Sequence, residues 1–403
     1  MEEYKLLMNI FEGLLIIFGL IKIFKLFIVQ CNLRVLDSRT HNQKNTFLIV
    51  IPVFNEQLRI KQCIEAMEKL SYNPENVRIV FCTTEKESAT PSTSTLIMNF
   101  IEKNNLKFNY EIVHYPFLTG HYPEQVNFAF ANAYKGEDYF LLYSADSIPH
   151  KDSLKVAAHE FNKYPNINYI QQRSIYFENV MPNFFSRASA MHQSVFDLGV
   201  NMFEEILGFG SVCGRSVFIR SKVIKNSKVF PTSFFCEDIV LSSILALKKE
   251  KIRHLPIVEM NEPAPDFNGV INQHFVWFDT AFQLKKIVKY AQNHEKLNLF
   301  FWLHIINRAY KNFTWLFGPI ILLILTYFDP IIFLFVLVYS FLNYVILNVI
   351  AKPFKVRNKS FQMIISYAVF LYICNLGPLK NLAARYGSGI FKIKMIKHKT
   401  PRG

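Results

Sequence analysis

Residues 46–54 read TFLIVIPVF. The run is apolar, rich in β-branched residues and unbroken, the pattern of a strand buried on both faces rather than one with a wet side. After Asn55-Glu56, apolar residues return at Leu58, Ile60, Cys63, Ile64, Met67 and Leu70, spaced as on one face of a helix over 56–69. The same alternation recurs downstream. VRIVFC (77–82), FNYEIVHY (108–115) and DYFLLYS (138–144) read as strands, with helices over 92–103 and 122–134. This rhythm predicts an α/β fold, a sheet with helices on both faces. Ligands of such sheets collect at the carboxyl ends of the strands. Asn55-Glu56 and the segments 83–87 and 144–147 all fall there.

Composition adds a membrane to the picture. Of 403 residues, 51% are apolar and 40 are Phe, more than a soluble domain needs. The formal charge of +14 suits an anionic membrane surface or a phosphate-bearing substrate. No zinc-finger spacing or RNA-binding signature accompanies it, so nucleic acid is not an expected partner. Six scattered cysteines without a C-x-x-C pair fit a reducing compartment.

The apolar stretch 6–29 is just long enough to span a bilayer and is followed by no cleavage-site pattern, so it reads as a retained anchor. Arg34, Arg39 and Lys44 come next and place the following domain in the cytosol by the positive-inside rule. Residues 313–328 and 330–351 flank Asp329-Pro330 and read as a transmembrane hairpin. The segment 361–379 is left open between crossing, re-entrant and interfacial arrangements. If it crossed, the basic tail would lie outside. The expected organisation is an anchor with a basic linker over 1–44 and a cytosolic domain over 45–262. Interfacial amphipathic helices follow over 263–312, then a membrane region over 313–380 and a basic cytosolic tail over 381–403. Residues 183–203 read either as an interfacial helix or as an ordinary half-buried one.

Moving a sugar off a nucleotide requires a pocket for base and ribose, neutralisation of the diphosphate, and a base for the acceptor proton. IPVFNE (51–56), SADS (144–147), CED (236–238) and QHFVW (273–277) occur in the order and approximate spacing of the membrane-embedded family 2 glycosyltransferases, the group of the cellulose, hyaluronan and chitin synthases and many bacterial polysaccharide enzymes. GHYPEQVNFAF (120–130) and KTPRG (399–403) are weaker matches. The resemblance covers roughly residues 45–280.

This resemblance implies a GT-A fold and an inverting transfer from a nucleotide-sugar, UDP-linked, to a lipid-linked or growing glycan at the inner face of the membrane. It implies Mg²⁺ or Mn²⁺ as cofactor, and membrane lipids as partners. Residue by residue, Asp238 becomes the general base with Glu237 beside it. Pro52, Asn55, Glu56, Glu85, Asn127, Asp146, Gln273 and Trp277 become donor-binding residues. Asp146 becomes the metal ligand, with His274 as a second candidate for metal or phosphate.

Several positions depart from the family pattern. Ser144 stands where the first aspartate of Asp-x-Asp is usual, and Cys236 replaces a threonine. TTEKE (83–87) replaces an aspartate pair, so that Glu85 or Glu87 is expected to substitute. Val276 replaces the arginine that meets the diphosphate, with Arg215 and Lys86 as candidate replacements. Arg173, after a strand-like YIQQ, is read as facing either the site or the surface. Standing alone, Glu237-Asp238 also suits a helix N-terminus. The alternative to an enzyme is a non-catalytic glycosyltransferase-like subunit of a polysaccharide assembly complex.

Overall fold

The computed structural model describes residues 44–176, 183–201, 204–205, 208, 210–232, 234, 236–293, 295–352 and 361–386, together with scattered positions between 10 and 31. The strand read from TFLIVIPVF is β1 (Phe47–Pro52), buried along its whole length. Its side chains divide between two cores. Phe47, Ile49 and Ile51 pack into one, and Leu48 and Val50 into the other. An unbroken apolar run is what a period of two demands when both sheet faces are covered.

Helix α1 (Ile60–Glu68) follows, then β2 (Val77–Thr84), α2 (Thr93–Lys103), β3 (Asn109–Tyr115), α3 (Tyr122–Ala133), β4 (Tyr139–Leu142) and α4 (Ser153–Lys163). Helix α1 starts four residues later than its apolar spacing suggested, because residues 56–59 form a turn. Past α4 the chain adds β5 (Tyr169–Gln171), β6 (Ser174–Tyr176) and α5 (Phe184–Ser194), which runs into a π-helical turn over Val195–Asn201. Next come β7 (Val217–Arg220), α6 (Glu237–Leu247), β8 (Ile252–His254) and β9 (Glu259–Asn261).

The seven-stranded sheet has the order β3-β2-β1-β4-β7-β5-β8. β1 pairs in parallel with β2 and β4, and β7 runs antiparallel between β4 and β5. Strand order therefore reverses at β1 and β4, and ligands of open α/β sheets bind at such a point, beyond the carboxyl ends of the strands. A separate parallel pair, β6 with β9, lies alongside, joined to the turn after β4 by an Ile148–Met260 bridge.

Six further helices complete the described chain: α7 (Phe267–Phe278), α8 (Thr280–Gln292), α9 (Leu299–Phe328), α10 (Ile331–Ala351), α11 (Gln362–Phe370) and α12 (Leu376–Tyr386). Among the described residues, α9 and α10 are long and apolar enough to cross a membrane. The hairpin's first helix begins at Leu299 rather than 313, so residues assigned to an interfacial region belong to the same continuous helix. Its first half exposes Leu299, Trp302, Ile306 and Phe313 while burying His304 and Arg308.

The segment 361–379 is not one helix. α11 has nine residues, about 13 Å of rise, and turns separate it from α12. Neither piece spans a hydrocarbon core of about 30 Å. Helix α5 is an ordinary buried helix, with Ala188, Ala190 and Met191 inside. The anchor expected over 6–29 lies largely outside the described residues. Positions described there are helical, expose Ile17, Leu20 and Phe24, and bring Gly19 beside Tyr339 of α10. Residues 399–403 also lie outside.

Candidate active site

At the end of β1 the chain turns through Asn55, whose φ of +53° is left-handed, a conformation Asn tolerates better than most residues. The Asn55 N–H and the Gln57 side-chain amide both donate to Oε1 of Glu87, at 3.1 and 2.8 Å. The Glu56 N–H donates to the Thr93 hydroxyl at 3.1 Å, and that hydroxyl in turn bonds Glu87. Glu87 therefore organises the loops after β1 and β2. Glu85 is exposed and receives a 2.9 Å contact from His114 Nε2, whose Nδ1 bonds the Thr83 hydroxyl. Of the two carboxylates after β2, Glu85 keeps the more open one. Pro52 closes β1, and Glu56 is buried behind Asn55.

At the end of β4 the SADS stretch forms a tight turn. The Ser147 N–H donates to the Ser144 carbonyl at 3.0 Å, and the two hydroxyls lie 3.0 Å apart. Ser144 thus serves the turn that presents Asp146, which is 7% exposed.

Helix α6 opens with Glu237 and Asp238 in its first turn and Cys236 at the N-cap. Asp238 Oδ1 accepts the Ile239 N–H at 2.8 Å, and Glu237 is buried. The loop before β7 comes in against them: a Cβ added at Gly214 would sit 3.4 Å from Glu237 Oε1 and 3.9 Å from the Asp238 Cβ.

Tyr122 joins these pieces. Its hydroxyl donates to the Gly214 carbonyl at 2.7 Å. Burial, followed by the Glu237 charge, pushes its phenol well above the usual range, with Arg215 opposing and Asp238 and Asp146 adding. One partly buried ring therefore senses Asp146, Glu237, Asp238 and Arg215 together. Motif reading passed over Tyr122 in favour of Asn127, five positions along the same helix.

Asn127 is a correction. Its Oδ1 accepts the N–H groups of Val229 and Phe230, at 2.8 and 3.0 Å, and its Nδ2 donates to the Phe230 carbonyl at 2.8 Å. Both ends of the amide are occupied in holding that loop, so Asn127 is a structural tether rather than a donor contact. Gln125, two residues earlier and so on another face of the helix, bonds the carbonyls of Val53 and Cys82 and ties β1 to β2 just before the loops that form the site.

His274 is a second correction. It is buried, its Nδ1 faces the Cys374 carbonyl at 3.1 Å, and its ring packs among Trp315, Trp277 and Phe370. Burial pushes its pKa down to about 4, so the ring is neutral and belongs to a helix contact. This apolar setting does not fit a site for a hard cation. Arg173 faces neither site nor surface. It is fully buried, bonding Asp197 at 3.2 Å and Cys213 at 2.9 Å.

Gln273 accepts a 3.0 Å bond from Gln193. Trp277 is 40% exposed, with the His274 ring stacked 5.8 Å away. The Thr280 hydroxyl bonds the Trp277 carbonyl at 2.7 Å and lies 3.2 Å from the Cys236 sulfur, which brings the indole's turn of helix beside the start of α6.

Among the described residues no group of three or more His, Cys, Asp or Glu side chains gathers as a metal cluster. Mg²⁺ and Mn²⁺ sites completed by substrate phosphates need only one or two carboxylates. Asp146, a hard oxygen donor at the switch point, fits that kind of site.

The family model described as glycosyl transferase family 2 matches residues 48–226. The fold is GT-A. A mannosyltransferase, PcManGT from Pyrobaculum calidifontis, in complex with GDP-Man and Mn²⁺, is similar at 12% identity over 90% of this chain and 94% of that one, with a TM-score of 0.54. TarS of S. aureus (residues 1–349), in complex with UDP-GlcNAc, aligns at 12% identity over 85% of this chain and 92% of its own, with a TM-score of 0.44. No curated protein matches the chain in sequence.

Proposed function

We propose that the chain is an inverting, metal-dependent glycosyltransferase. It moves a sugar from a nucleotide-sugar to a lipid-linked or growing glycan at the cytosolic face of a membrane held by α9, α10 and the N-terminal segment. The observation that carries this reading is the Gly214 loop, bonded by the Tyr122 hydroxyl at 2.7 Å and lying against Glu237 and Asp238 at the start of α6, with Asp146 in the turn that follows β4.

In this reading Asn55, Glu56 and Glu85 border the nucleotide at the ends of β1 and β2. Asp146, with the donor's phosphates, would hold Mg²⁺ or Mn²⁺, and a bound cation supplies charge neutralisation for the departing diphosphate. The Mn²⁺ named with the Pyrobaculum enzyme is consistent with this donor set. Asp238 takes the proton from the acceptor hydroxyl as that oxygen attacks the anomeric carbon, and a single displacement inverts the configuration. Glu237, buried beside it in the first turn of α6, lies against the Gly214 loop and helps shape the acceptor side. Trp277 walls the acceptor side with its open indole face.

The test is nucleoside diphosphate release by the purified full chain from a panel of nucleotide-sugars, with and without Mn²⁺ or Mg²⁺. Metal-dependent release from one donor, lost in Asp146→Ala and in Asp238→Asn, supports the reading. A protein that neither turns over nor binds any donor or nucleoside diphosphate is a non-catalytic relative.

A further inference from the structure

Arg215 enters the candidate site on the loop before β7. It follows Gly214, whose carbonyl receives the Tyr122 hydroxyl and whose α-carbon abuts Glu237 and Asp238. Its side chain is 21% exposed, and its guanidinium lies over the Tyr176 ring, 5.2 Å from the centroid.

The group is held but not consumed. The nearest carboxylate, Glu259, is 3.9 Å from Arg215 Nε, beyond hydrogen-bond distance. Glu259 Oε1 already accepts from the Ser174 hydroxyl at 2.8 Å, from Asn261 Nδ2 at 2.7 Å and from the Ser216 hydroxyl. Arg215 Nε itself is buried and has no hydrogen-bond partner among the described residues. Burial also pushes Glu259 up to about 7, which leaves it only partly charged near neutrality and leaves more of the Arg215 charge uncancelled. Two other cations are engaged elsewhere, Arg173 with Asp197 and Lys86 with the Gly120 carbonyl.

We propose that Arg215 is the phosphate-binding residue of this site, pinned on Tyr176 and directing its planar fork of donors at a phosphate group beside Asp238. This rests on the glycosyltransferase reading above and extends it. A guanidinium is suited to the task because its donors match two phosphate oxygens at once and its charge does not titrate. The phosphate has two possible sources, the diphosphate of the donor and the phosphate of a lipid-linked acceptor. They present the same chemistry to Arg215.

The experiment compares full-length wild type with Arg215→Ala, Arg215→Gln and Arg215→Lys in detergent. It measures calorimetric affinity for UDP and GDP with Mn²⁺, donor KM for the nucleotide-sugar that the panel identifies, and binding to vesicles carrying a polyprenyl phosphate. Arg215→Ala and Arg215→Gln are expected to weaken one of the two phosphate ligands by about tenfold to a hundredfold, with Arg215→Lys recovering part of the loss. Loss on the nucleotide arm identifies the donor diphosphate, and loss on the vesicle arm the lipid phosphate. Unchanged affinity on both arms, in a variant that melts like wild type, overturns the proposal. Should Arg215→Ala fail to fold, the Gln and Lys variants decide. If wild type turns over no donor and binds no nucleotide, the enzymatic reading falls first and this one with it. An active wild type with an indifferent Arg215→Gln removes this proposal alone.

Discussion

The Tyr122 hydroxyl donates a 2.7 Å hydrogen bond to the Gly214 carbonyl, 92 positions away in sequence. That bond joins the first turn of α3 to the loop that carries Arg215, and both neighbours of that loop, Glu237 and Asp238, act on the phenol. Tyr122→Phe keeps the ring's packing and removes only the tether. The expected result is a loss of about 1 kcal/mol of stability and a fall in kcat of about tenfold, with donor KM little changed. Thermal melting and steady-state kinetics on one preparation check it.

Asp238→Asn preserves the shape of the α6 N-terminus and removes the base. Turnover should fall by about 10²- to 10⁴-fold while nucleoside diphosphate affinity stays near wild type. Asp146→Asn should do the reverse on the binding side, weakening Mn²⁺-dependent nucleotide affinity. Calorimetry with and without metal separates the two.

Asn127→Ala opens both ends of a half-buried tether. Leaving the N–H groups of Val229 and Phe230 without their acceptor should cost about 1–3 kcal/mol. Donor KM should hold at temperatures where the variant is folded. A rise in KM without loss of stability would return Asn127 to the donor site.

Acid stability follows in part from a buried and a half-buried imidazole, His274 and His192. Burial lowers His274 to about 4. Burial, then the charge of His274, lowers His192 to about 3, and the rings lie 5.6 Å apart. In the unfolded chain both titrate near 6.5, so between about pH 4 and 6.5 the unfolded state binds more protons and stability falls as pH falls. Above 6.5 this contribution is fully present. Glu259, raised to about 7, has the opposite sign: the native state binds more protons between about 4.5 and 7, and its contribution falls as pH rises through that range. Melting curves from pH 4 to 8 should show net acid destabilisation, shallower in His274→Asn, which can still donate to the Cys374 carbonyl.

Gly377 lets α12 lie directly against the backbone of α7. A Cβ there would lie 2.4 Å from the His274 Cβ and 2.8 Å from the Phe275 backbone nitrogen. Neither atom is the end of a flexible side chain, so Gly377→Ala must push the helices apart. The expected cost is about 1–3 kcal/mol or more, read as a lower melting temperature or faster proteolysis between α10 and α12.

The elements around β1 were legible because their signals are local. A strand covered on both faces must be apolar at every position, so TFLIVIPVF could be read without knowing its neighbours, and the strand ends placed Asn55, Glu56 and Asp146 with it. CED read as a helix start for the same reason.

The 299–312 segment read as something separate because its buried His304 and Arg308 interrupt the apolar composition. Tertiary packing makes it one face of a longer helix. What the site does with a residue was hidden wherever the partner is distant in sequence. Asn127 looked like a ligand contact until Val229 and Phe230 came to it, 102 and 103 residues on. His274 looked like a metal ligand until Cys374 and Trp315 enclosed it. Local sequence thus determined the first four strands, the helices between them and the loops at their carboxyl ends, while the strand order and its switch point came from the folded chain. Which polar groups stay available for chemistry was decided only by the folded chain, because a hydrogen-bonding atom is spent by whatever neighbour packing brings within about 3 Å of it.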